Sequence, residues 1–404
     1  MAAERRLRVC IALGPYPPQF TGHGIQIQRT LPYLRARGID PIVLAYRLSP
    51  GPAAPGEDGD SVHRNLSVGT GIVSTLRRVL QFRRYFARSQ RSIDVLQCAL
   101  LGWEFLLNVP YLKRLGLPVL VEMVLLDGDD PLTISRERLG AIKLDLLRRV
   151  DAWVGIAAAF LPRLQTVGID TGCFRLMYTG VDVGLYRPAA PDARTVIRKR
   201  LGIPVDARVA VTVGSVIWRK GIDRVLNAWE RAQPKRGRDV LLVVGPLMTG
   251  HDVHGPDAAF THAILRKAAN PILLDTVRLV GHSDQVHEYL RAADLFVFLS
   301  RREGLGTVIL EAMACGLPCI VSPLDGIASE VVTDGRTGFI IMDPDDADDA
   351  AEQISRLLNN PTLRCSMGQE SRHDSVRRFS LDARADALAS LYRELSRVRR
   401  FGGA

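Results

Sequence analysis

The chain of 404 residues lacks long apolar runs and clusters of metal-binding side chains. No stretch of 18 apolar residues occurs, which predicts that no transmembrane helix is present. The six cysteines are scattered, without a CxxC pair or a His/Cys cluster. This pattern is typical of buried, reduced thiols in a cytoplasmic protein, and it predicts no metal site. The apolar patch near the N-terminus is too short for a signal peptide, so we expect it to be a first strand.

Acidic residues are the minority among the charged ones, 43 against 53 basic residues, which gives a net charge of +10. This excess favours an anionic partner, such as a nucleotide, a nucleic acid or an anionic membrane surface. The arginines are not interleaved with aromatic side chains, and no known nucleic-acid module is present. A basic nucleic-acid-binding protein is the non-enzyme alternative that the charge suggests. Because these features are missing, we expect no nucleic acid as a partner.

Apolar, strand-like segments alternate with helical segments twice along the chain, and the alternation restarts after Tyr178–Pro188. This order predicts an α/β fold with two doubly wound, Rossmann-like domains, each built on a parallel sheet. We assign residues 1–180 to the first domain and 181–375 to the second. Residues 376–404 are predicted to form a C-terminal helix that packs back on the first domain. Clefts between such domains commonly bind ligands.

Several local elements are predicted from periodicity and from turn residues. Single helices are expected near residues 71–91, 103–115 and 133–150. Residues 48–70 are rich in Pro, Gly and Asp and are predicted to form a loop, and a second loop is expected near 245–258.

The segment Ser300–Pro323 carries two carboxylates on either side of a glycine pair. It follows a predicted buried strand, so its loop lies at the carboxyl end of that strand, where open α/β sheets bind ligands. Gly304 and Gly306 allow backbone amides to approach a phosphate closely at a helix N-terminus. Glu311 lies about one turn into the helix and suits the hydroxyls of a ribose, while Glu303 on the loop suits a second polyol. The segment predicts a site for a nucleotide that bears a sugar.

With these motifs in place, the second half resembles the retaining, nucleotide-sugar-dependent glycosyltransferases of the GT-B fold, most closely family four of the group 1 type. The resemblance covers most of residues 175–345 and implies two Rossmann-like domains that face each other across a cleft. A weaker match, "TGHGIQIQRTLPYLRARG", lies in the first half. The motifs of the second half are "YTGVDVGLYRP", "VGSVIWRKGIDRVLNAW", "VRLVGHSDQVHEYLRAADLFVFLS", "REGLGTVILEAMACGLPCIVSP" and "EVVTDGRTGFII".

The resemblance implies a role for each matching residue. Glu303 corresponds to the acid that faces the donor sugar, Glu311 to the acid that binds ribose, and Lys220 to the lysine that neutralises the diphosphate. We therefore expect Glu303 and Lys220 to be the catalytic pair. The remaining donor-binding residues are backbone contacts: the diphosphate amides of Gly304, Leu305, Gly306 and Thr307, the glycine loop of Gly22 and Gly24, and the nucleobase contacts of Gly281 and His282.

The chain departs from the family pattern at two places. The family usually has an arginine where this chain has Ser215, and Arg219, Arg301 and Arg302 are candidates to replace it at the diphosphate. The family also often has a histidine at the end of the strand in "PVLVEMVLLDGDDP", and none is present here. The acidic loop of Asp127, Asp129 and Asp130 is the candidate contact with sugar or acceptor. A solvated turn or a cap for the next helix is the alternative.

The expected reaction is retaining hexosyl transfer from a nucleoside-diphosphate sugar to a saccharide or lipid-linked acceptor in polysaccharide synthesis. The resemblance implies no cofactor and no metal, so we expect activity to survive EDTA. A nucleotide-sugar epimerase or a phosphorylase of similar fold is the enzymatic alternative. Glu303 is expected to position the sugar rather than to act as a base.

Residues 71–94 predict an amphipathic helix without an acid before Asp94. Its apolar stripe is predicted to contain Ile72, Leu76, Val79, Leu80 and Phe86, with arginines mostly off the stripe. Packing of this stripe against the core is one interpretation. The other is peripheral contact with an anionic inner membrane face, which a lipid-linked acceptor would require.

Overall fold

A computed structural model describes residues 5–19, 21–47, 61–248 and 255–401, without the side chains of Asp325 and of residues 398–401. The chain divides into two compact units, one of residues 1–180 with 381–404 and one of residues 181–380. The division after Gly180 lies inside the segment where the sequence pattern restarts. Among the described residues, no helix is both long and apolar enough to cross a membrane.

The first unit contains a parallel sheet of seven strands in the order β3-β2-β1-β4-β5-β6-β7. Its strands are β1 Leu7–Ala12, β2 Ile39–Tyr46, β3 Val62–Leu66, β4 Val95–Cys98, β5 Val119–Met123, β6 Ala152–Gly155 and β7 Phe174–Leu176. Its helices are α1 Gly22–Ala36, α2 Ile72–Ser89, α3 Trp103–Leu106, α4 Val109–Arg114, α5 Pro131–Ser135, α6 Gly140–Leu147, α7 Phe160–Thr166 and the C-terminal α16 Leu381–Phe401.

The second unit contains a parallel sheet of six strands in the order β10-β9-β8-β11-β12-β13. Its strands are β8 Arg208–Val213, β9 Asp239–Val244, β10 Val277–Gly281, β11 Leu295–Phe298, β12 Cys319–Val321 and β13 Gly338–Ile340. Its helices are α8 Pro191–Arg200, α9 Ile222–Arg231, α10 Pro256–Ala268, α11 Val286–Ala292, α12 Thr307–Ala314, α13 Ile327–Val331, α14 Ala347–Asn359 and α15 Pro361–Phe379.

Four local expectations need correction. The helix predicted near 133–150 is two helices, α5 and α6, because Leu139 adopts a left-handed conformation with φ of 63°. The helix predicted near 103–115 is likewise divided into α3 and α4. Residues 62–66 of the predicted loop form the edge strand β3, and part of the second predicted loop belongs to α10. The predicted loop residues 48–60 and 249–254 lie outside the described part of the chain.

The strand order of both sheets reverses once, between β1 and β4 in the first unit and between β8 and β11 in the second. At such a point the loops after the two central strands leave toward opposite faces of the sheet and open a crevice at its carboxyl edge. The loop after β8 and the loop after β11 therefore border one crevice. These two loops carry Lys220 and Glu303.

The C-terminal helix α16 belongs to the core of the first unit. Its buried face contributes Leu388, Leu391 and Tyr392 to the same apolar cluster as Ile27 and Leu31 of α1. The helix starts at Leu381, five residues after the start that the sequence pattern predicted, because α15 continues to Phe379.

Candidate active site

A charged cluster lies at the reversal point of the second sheet. The Lys220 ammonium Nζ is 2.7 Å from the Glu303 carboxylate oxygen Oε1, and Arg219 Nη1 is 3.1 Å from the same oxygen. The hydroxyl of Ser300 also donates to this oxygen, at 2.8 Å. Two cations thus face one carboxylate, which leaves a local excess of positive charge at the carboxyl edge of the sheet.

Two glycines leave room for Lys220 and its side chain at this cluster. Gly221 has φ of 65°, and a Cβ there would lie 2.0 Å from the carbonyl oxygen of Leu299. The side chain of Lys220 lies along Gly214, where an added Cβ would lie 3.3 Å from the lysine Cδ. Its Nζ is 5.4 Å from the centre of the Phe298 ring.

The environment of Lys220 lowers its affinity for a proton. Burial lowers the pKa of Lys220 below its usual 10.5, while the charge of Glu303 and its hydrogen bond to the ammonium raise it, and the charge of Arg219 lowers it further. A second anion beside the ammonium would oppose the desolvation in the same way as Glu303 does. The site is therefore arranged to gain from an incoming anion.

Of the candidates for the missing arginine at Ser215, Arg219 lies closest to the acid. Its guanidinium contacts Glu303 and also donates to the carbonyl oxygen of Arg302 at 2.7 Å. Arg301 instead forms a two-pronged ion pair with Asp223, at 2.8 and 2.7 Å, and packs over the Trp218 ring. The side chain of Arg302 is exposed. Arg219 is thus the arginine that the fold places in the charged cluster.

The loop after β11 presents the start of α12 to the same edge. Gly306 is the N-cap residue, with φ of 73°, and no side chain caps the first turn of the helix. Leu305 is buried and anchors the loop, and Thr307 is half-buried. Uncapped amides at a helix N-terminus bind phosphate oxygens well, because the helix dipole adds to their hydrogen bonds. The residues Gly304–Thr307 thus lie next to Glu303, at the start of α12 that no side chain caps.

Glu311 lies inside α12, on the turn that follows this loop. It is 6% exposed, and its neighbours from Ile309 to Ala314 are all buried. One helical turn, about 5.4 Å, separates it from Thr307. The structure thus places the second acid apart from the Lys220–Glu303 cluster but on the helix whose N-terminus borders it.

Three strands of the second sheet end in glycine, and sequence reasoning found only one of these glycines. Gly214 follows β8, Gly245 follows β9 and Gly281 ends β10. A Cβ at Gly245 would lie 2.1 Å from the carbonyl oxygen of Gly214, while one at Gly281 would meet nothing within 4 Å. The repeated pattern of an apolar strand ended by Val-Gly is the signal that could have found the other two. The space over Gly281 is open, whereas His282 is exposed and pairs with Asp284 at 3.2 Å.

In the first unit the predicted glycine loop is the first turn of α1. The helix starts at Gly22, and no side chain caps it. A Cβ at Gly24 would lie 3.0 Å from the carbonyl oxygen of Pro15, so this turn and the preceding loop pack backbone against backbone. Gly22 is exposed, and a Cβ there would meet nothing within 4 Å.

A buried ion pair that the sequence did not reveal lies beneath this turn. The Glu122 carboxylate on β5 accepts hydrogen bonds from the guanidinium of Arg384 on α16 and, at 2.5 Å, from Gln97. Tyr392 in turn donates to Gln97. Although burial alone would raise the pKa of Glu122, the charges of Arg384 and His23 and these hydrogen bonds hold it below its usual range. The pair joins residues that are 262 positions apart in sequence.

His23, between the two glycines, faces this ion pair. Its Nε2 lies 3.8 Å from Glu122 Oε2 and, among the described residues, has no hydrogen-bond partner. Burial lowers the pKa of His23, an effect that Glu122 opposes and Arg384 reinforces. Burial thus favours the neutral form of the imidazole.

The acidic loop after β5 is held mainly by its own carboxylates. Asp130 is fully buried and caps α5 by accepting from the Thr133 amide at 3.0 Å. Asp129 accepts from the amides of Val124 and Leu125, and burial raises its pKa to about 6. Asp127 is half-exposed and pairs with Arg163 at 2.7 Å. Asp130 thus caps a helix, as the alternative interpretation proposed. Asp127 is the most exposed of the three aspartates.

Comparison with known proteins relates the second unit to a family. Residues 193–374 match the family model described as "Glycosyl transferases group 1". D-inositol 3-phosphate glycosyltransferase 2 of Catenulispora acidiphila is 31% identical over 270 residues, which are 66% of this chain and 60% of that protein. The lipopolysaccharide core biosynthesis mannosyltransferase LpsB of Rhizobium meliloti is 28% identical over 62% of this chain and 68% of its own length.

The chain spans only part of the length of several curated relatives that it matches. The matches to two D-inositol 3-phosphate glycosyltransferases from Streptomyces cover 50% and 47% of those proteins. Each of these two matches is 31% identical.

Solved structures match over nearly the whole chain. Sucrose-phosphate synthase from Thermosynechococcus elongatus has a TM-score of 0.77 at 22% identity and covers 96% of this chain and 99% of its own. Anabaena HepE in complex with UDP and glucose has a TM-score of 0.74 at 15% identity and covers 96% of this chain and 100% of its own. These likenesses and the two doubly wound sheets confirm the predicted GT-B fold.

Proposed function

Because residues 193–374 match the model of the group 1 glycosyltransferases, we propose that this protein transfers a sugar from a nucleoside-diphosphate sugar to a saccharide or lipid-linked acceptor. The observation that carries the proposal is the cluster of Lys220 and Arg219 against Glu303, beside the uncapped N-terminus of α12. A group with two negative phosphates is the ligand that such a site neutralises best.

The proposed reaction is hexosyl transfer with retention of the anomeric configuration. The bond from the anomeric carbon to the diphosphate breaks, and a bond to the acceptor oxygen forms on the same face of the sugar. The acceptor proton goes to the departing diphosphate, so no protein nucleophile is required. Lys220, Arg219 and the amides of Gly304–Thr307 stabilise the negative charge that grows on the leaving group.

The two acids have different proposed tasks. Glu303 orients the hydroxyls of the donor sugar, since it lies in the cluster that binds the diphosphate. Glu311 accepts hydrogen bonds from the ribose, and the open space over Gly281 receives the base. In the first unit, Gly22, Gly24 and Asp127 are proposed to contact donor or acceptor. His23 is proposed to position the first turn of α1.

A donor screen tests this proposal most directly. The full chain is heated with UDP-, GDP- and ADP-sugars, and a donor at 100 times its dissociation constant stabilises the protein by about 2.7 kcal/mol. The donor that binds is then incubated with acceptor saccharides, and proton NMR reports the configuration of the product. Binding of no donor, or an inverted product, contradicts the proposal. Epimerised donor formed without an acceptor supports the epimerase alternative.

Chelation separates charge neutralisation by the protein from neutralisation by a metal. Because Lys220 and Arg219 occupy the carboxylate of Glu303, we propose that the transfer needs no divalent cation at this acid. Transfer rates are expected to be equal with and without EDTA. Loss of activity in EDTA that Mg²⁺ or Mn²⁺ restores contradicts this part of the proposal.

The exposed face of α2 supports contact with an anionic membrane. Ile72, Leu76 and Leu80 of the predicted stripe are between 53% and 80% exposed, so this part of the stripe does not pack on the core. The neighbouring Val73, outside the predicted stripe, is 73% exposed. Phe86 from the same predicted stripe is fully buried. An exposed apolar strip of this kind fits the interfacial region of a bilayer.

The arginines of α2 differ in their surroundings. Arg77, Arg84 and Arg88 are exposed, whereas Arg78 lies 3.3 Å from the buried Glu104 and supports the fold. Each exposed arginine near an anionic surface contributes about 1 kcal/mol. We therefore propose peripheral binding through the apolar strip and these three arginines.

Vesicle sedimentation tests the membrane proposal. The protein is expected to pellet with anionic vesicles at low salt, and Arg77→Glu, Arg84→Glu and Arg88→Glu together are expected to release it. The matched control reverses the exposed Arg114, Arg136 and Arg138 of the same unit and is expected to pellet like the parent. Equal recovery of the parent with neutral and anionic vesicles contradicts membrane contact and favours a soluble acceptor.

A further inference from the structure

A cavity of about 270 Å³ lies in the second unit, away from the charged cluster of Lys220. Its lining includes Asp294, directly before β11, and Leu317, shortly before β12. In a parallel sheet these positions mark the amino edge, whereas Glu303 follows β11 at the carboxyl edge. The four residues of β11 alone separate the two edges by about 13 Å.

Positive charge dominates the lining of this cavity. Arg194, Arg291 and Arg364 line it, against the single carboxylate of Asp294. That carboxylate is already engaged, because Arg194 and Arg198 pair with it at 2.7 and 2.9 Å and the amide of Val209 donates to it at 2.7 Å. The cavity therefore keeps an excess of positive charge.

Two of the arginines keep buried donors. The Nε atoms of Arg194 and Arg291 are buried and have no hydrogen-bond partner among the residues that the structure describes. Buried donors without a partner are costly, since they lose water and gain nothing in return. Both arginines line the cavity, so an oxyanion there would lie beside their guanidinium groups.

Two helices also begin at the cavity. Pro188 and Ala189 lead into α8, whose N-cap residue Ala190 provides no side-chain cap, and Pro361 is the first residue of α15. The positive ends of both helix dipoles thus lie at the lining of the cavity, and the side chain of Asn360 caps the first turn of α15.

We propose that this cavity is a second anion site, which takes a phosphate group between Arg194, Arg291 and Arg364. The space is smaller than the roughly 300–1,000 Å³ of drug-sized ligand sites, which favours free phosphate or a small phosphorylated metabolite. This site is separate from the proposed donor site and does not rest on the proposed transfer reaction.

Cys365 provides a readout at the cavity itself. It lines the cavity and is exposed, and of the other five cysteines only Cys173 is not buried. In a Cys173→Ser chain, neutral iodoacetamide therefore reports on Cys365. A phosphate beside the thiol places negative charge next to the attacking thiolate and so slows its alkylation.

Inorganic phosphate is titrated at constant ionic strength, with chloride as the balancing anion and alkylation of Cys365 as the measurement. We expect alkylation to become several-fold slower and to saturate. Arg291→Gln is expected to abolish the effect and Arg291→Lys to retain part of it. The matched control is Arg266→Gln, which removes an exposed arginine of α10 outside the cavity.

Three outcomes overturn the proposal: no slowing with phosphate, equal slowing in the Arg291→Gln chain, or loss of the effect in a Lys220→Met chain. The last would show that phosphate acts from the carboxyl edge instead. A hexose 6-phosphate is titrated in a second arm. Tighter protection by this ester than by phosphate identifies a phosphorylated metabolite as the ligand, and equal or weaker protection identifies free phosphate. Circular dichroism of each variant verifies that it is folded.

Discussion

The two units each hold a charged centre near the reversal point of a parallel sheet, but the centres are built differently. In the second unit Lys220 and Arg219 face one carboxylate at the edge of the sheet, and positive charge is left over. In the first unit Glu122 and Arg384 are both buried, and they balance each other. An unbalanced, partly exposed centre suits an incoming anion, while a balanced, buried one joins elements of the fold.

The partners of each centre strengthen this contrast. Arg384 also donates to the carbonyl oxygens of Met177 and Tyr178, at 3.1 and 2.8 Å, so its guanidinium is used entirely within the first unit. Among the described residues, Lys220 pairs with the carboxylate of Glu303, and burial lowers the pKa of Lys220. Charge by itself is therefore a poor indicator of a binding site, whereas charge without full compensation is a good one.

The largest expected effect is on the buried pair. Arg384→Met leaves Glu122 as an uncompensated buried charge, which typically costs about 3–5 kcal/mol. Hydrogen exchange of peptides from β4 and β5 measures the loss as faster opening of the first unit. The matched control, Arg393→Met on the exposed face of α16, is expected to cost much less.

A double variant sharpens this test. Glu122→Gln with Arg384→Met removes both charges, and it is expected to recover part of the stability that the single variant loses. If Arg384→Met exchanges like the parent, the pair does not join α16 to the sheet.

Lys220→Met, in contrast, is expected to lower activity without a loss of stability. It removes a cation from the departing diphosphate, which lowers kcat/KM by about a hundredfold, or roughly 3 kcal/mol. The stability of the second unit is expected to stay the same or rise, because a mostly buried ammonium is no longer desolvated. Lys267→Met on α10 is the control, since it breaks the ion pair with Glu230 away from the cluster. A loss of stability in parallel with activity would remove the contrast between the units.

How far the sequence could predict this contrast depends on where the partners lie. The repeated alternation of apolar and helical segments predicted the two domains. The pattern of glycines and acids in Ser300–Pro323, together with the family resemblance, predicted that Lys220 and Glu303 belong to one site. The order of apolar segments predicted parallel sheets, because each strand is buried on both faces and lacks polar alternation. These features are local, so the sequence displays them directly.

The remaining features depend on contacts between distant residues. Nothing near Glu122 or Arg384 in sequence shows that they meet, and a buried carboxylate on a strand otherwise resembles an error in the apolar pattern. The sequence likewise left open whether Asp130 contacts a ligand or caps the next helix, and the structure shows the cap on α5. The exposure of Ile72 and Leu76 depends on which face of α2 packs inward, and an amphipathic pattern does not determine that.

The next effect in size concerns Glu311. Glu311→Ala removes the carboxylate that is proposed to accept two ribose hydrogen bonds, each worth roughly 1.5–3 kcal/mol when charged. Isothermal titration with the nucleoside diphosphate is expected to show at least tenfold weaker binding. Glu303→Gln serves as the comparison, since it is expected to lower transfer while it keeps nucleotide affinity within about threefold of the parent. Unchanged affinity in a folded Glu311→Ala protein rules out the ribose contact.

The smallest effect is expected from a change in pH. It again distinguishes the partly exposed centre of Lys220 from the buried pair of Glu122 and Arg384. Since burial, offset in part by Glu303, lowers the pKa of Lys220, the ammonium loses its proton below the usual 10.5. A neutral amine cannot compensate the diphosphate, so kcat/KM, which reports the free enzyme, falls as pH rises through that lowered pKa. Stability has the opposite trend: in the window between the lowered pKa and 10.5 the unfolded chain binds more protons, so the contribution of Lys220 to unfolding free energy rises with pH. Lys220→Arg keeps the charge at all accessible pH values and is expected to remove the alkaline fall, while Lys267→Arg is expected to leave it in place. If the alkaline fall in kcat/KM persists unchanged in Lys220→Arg, another group titrates. Lys220 is then not the cation that compensates the diphosphate.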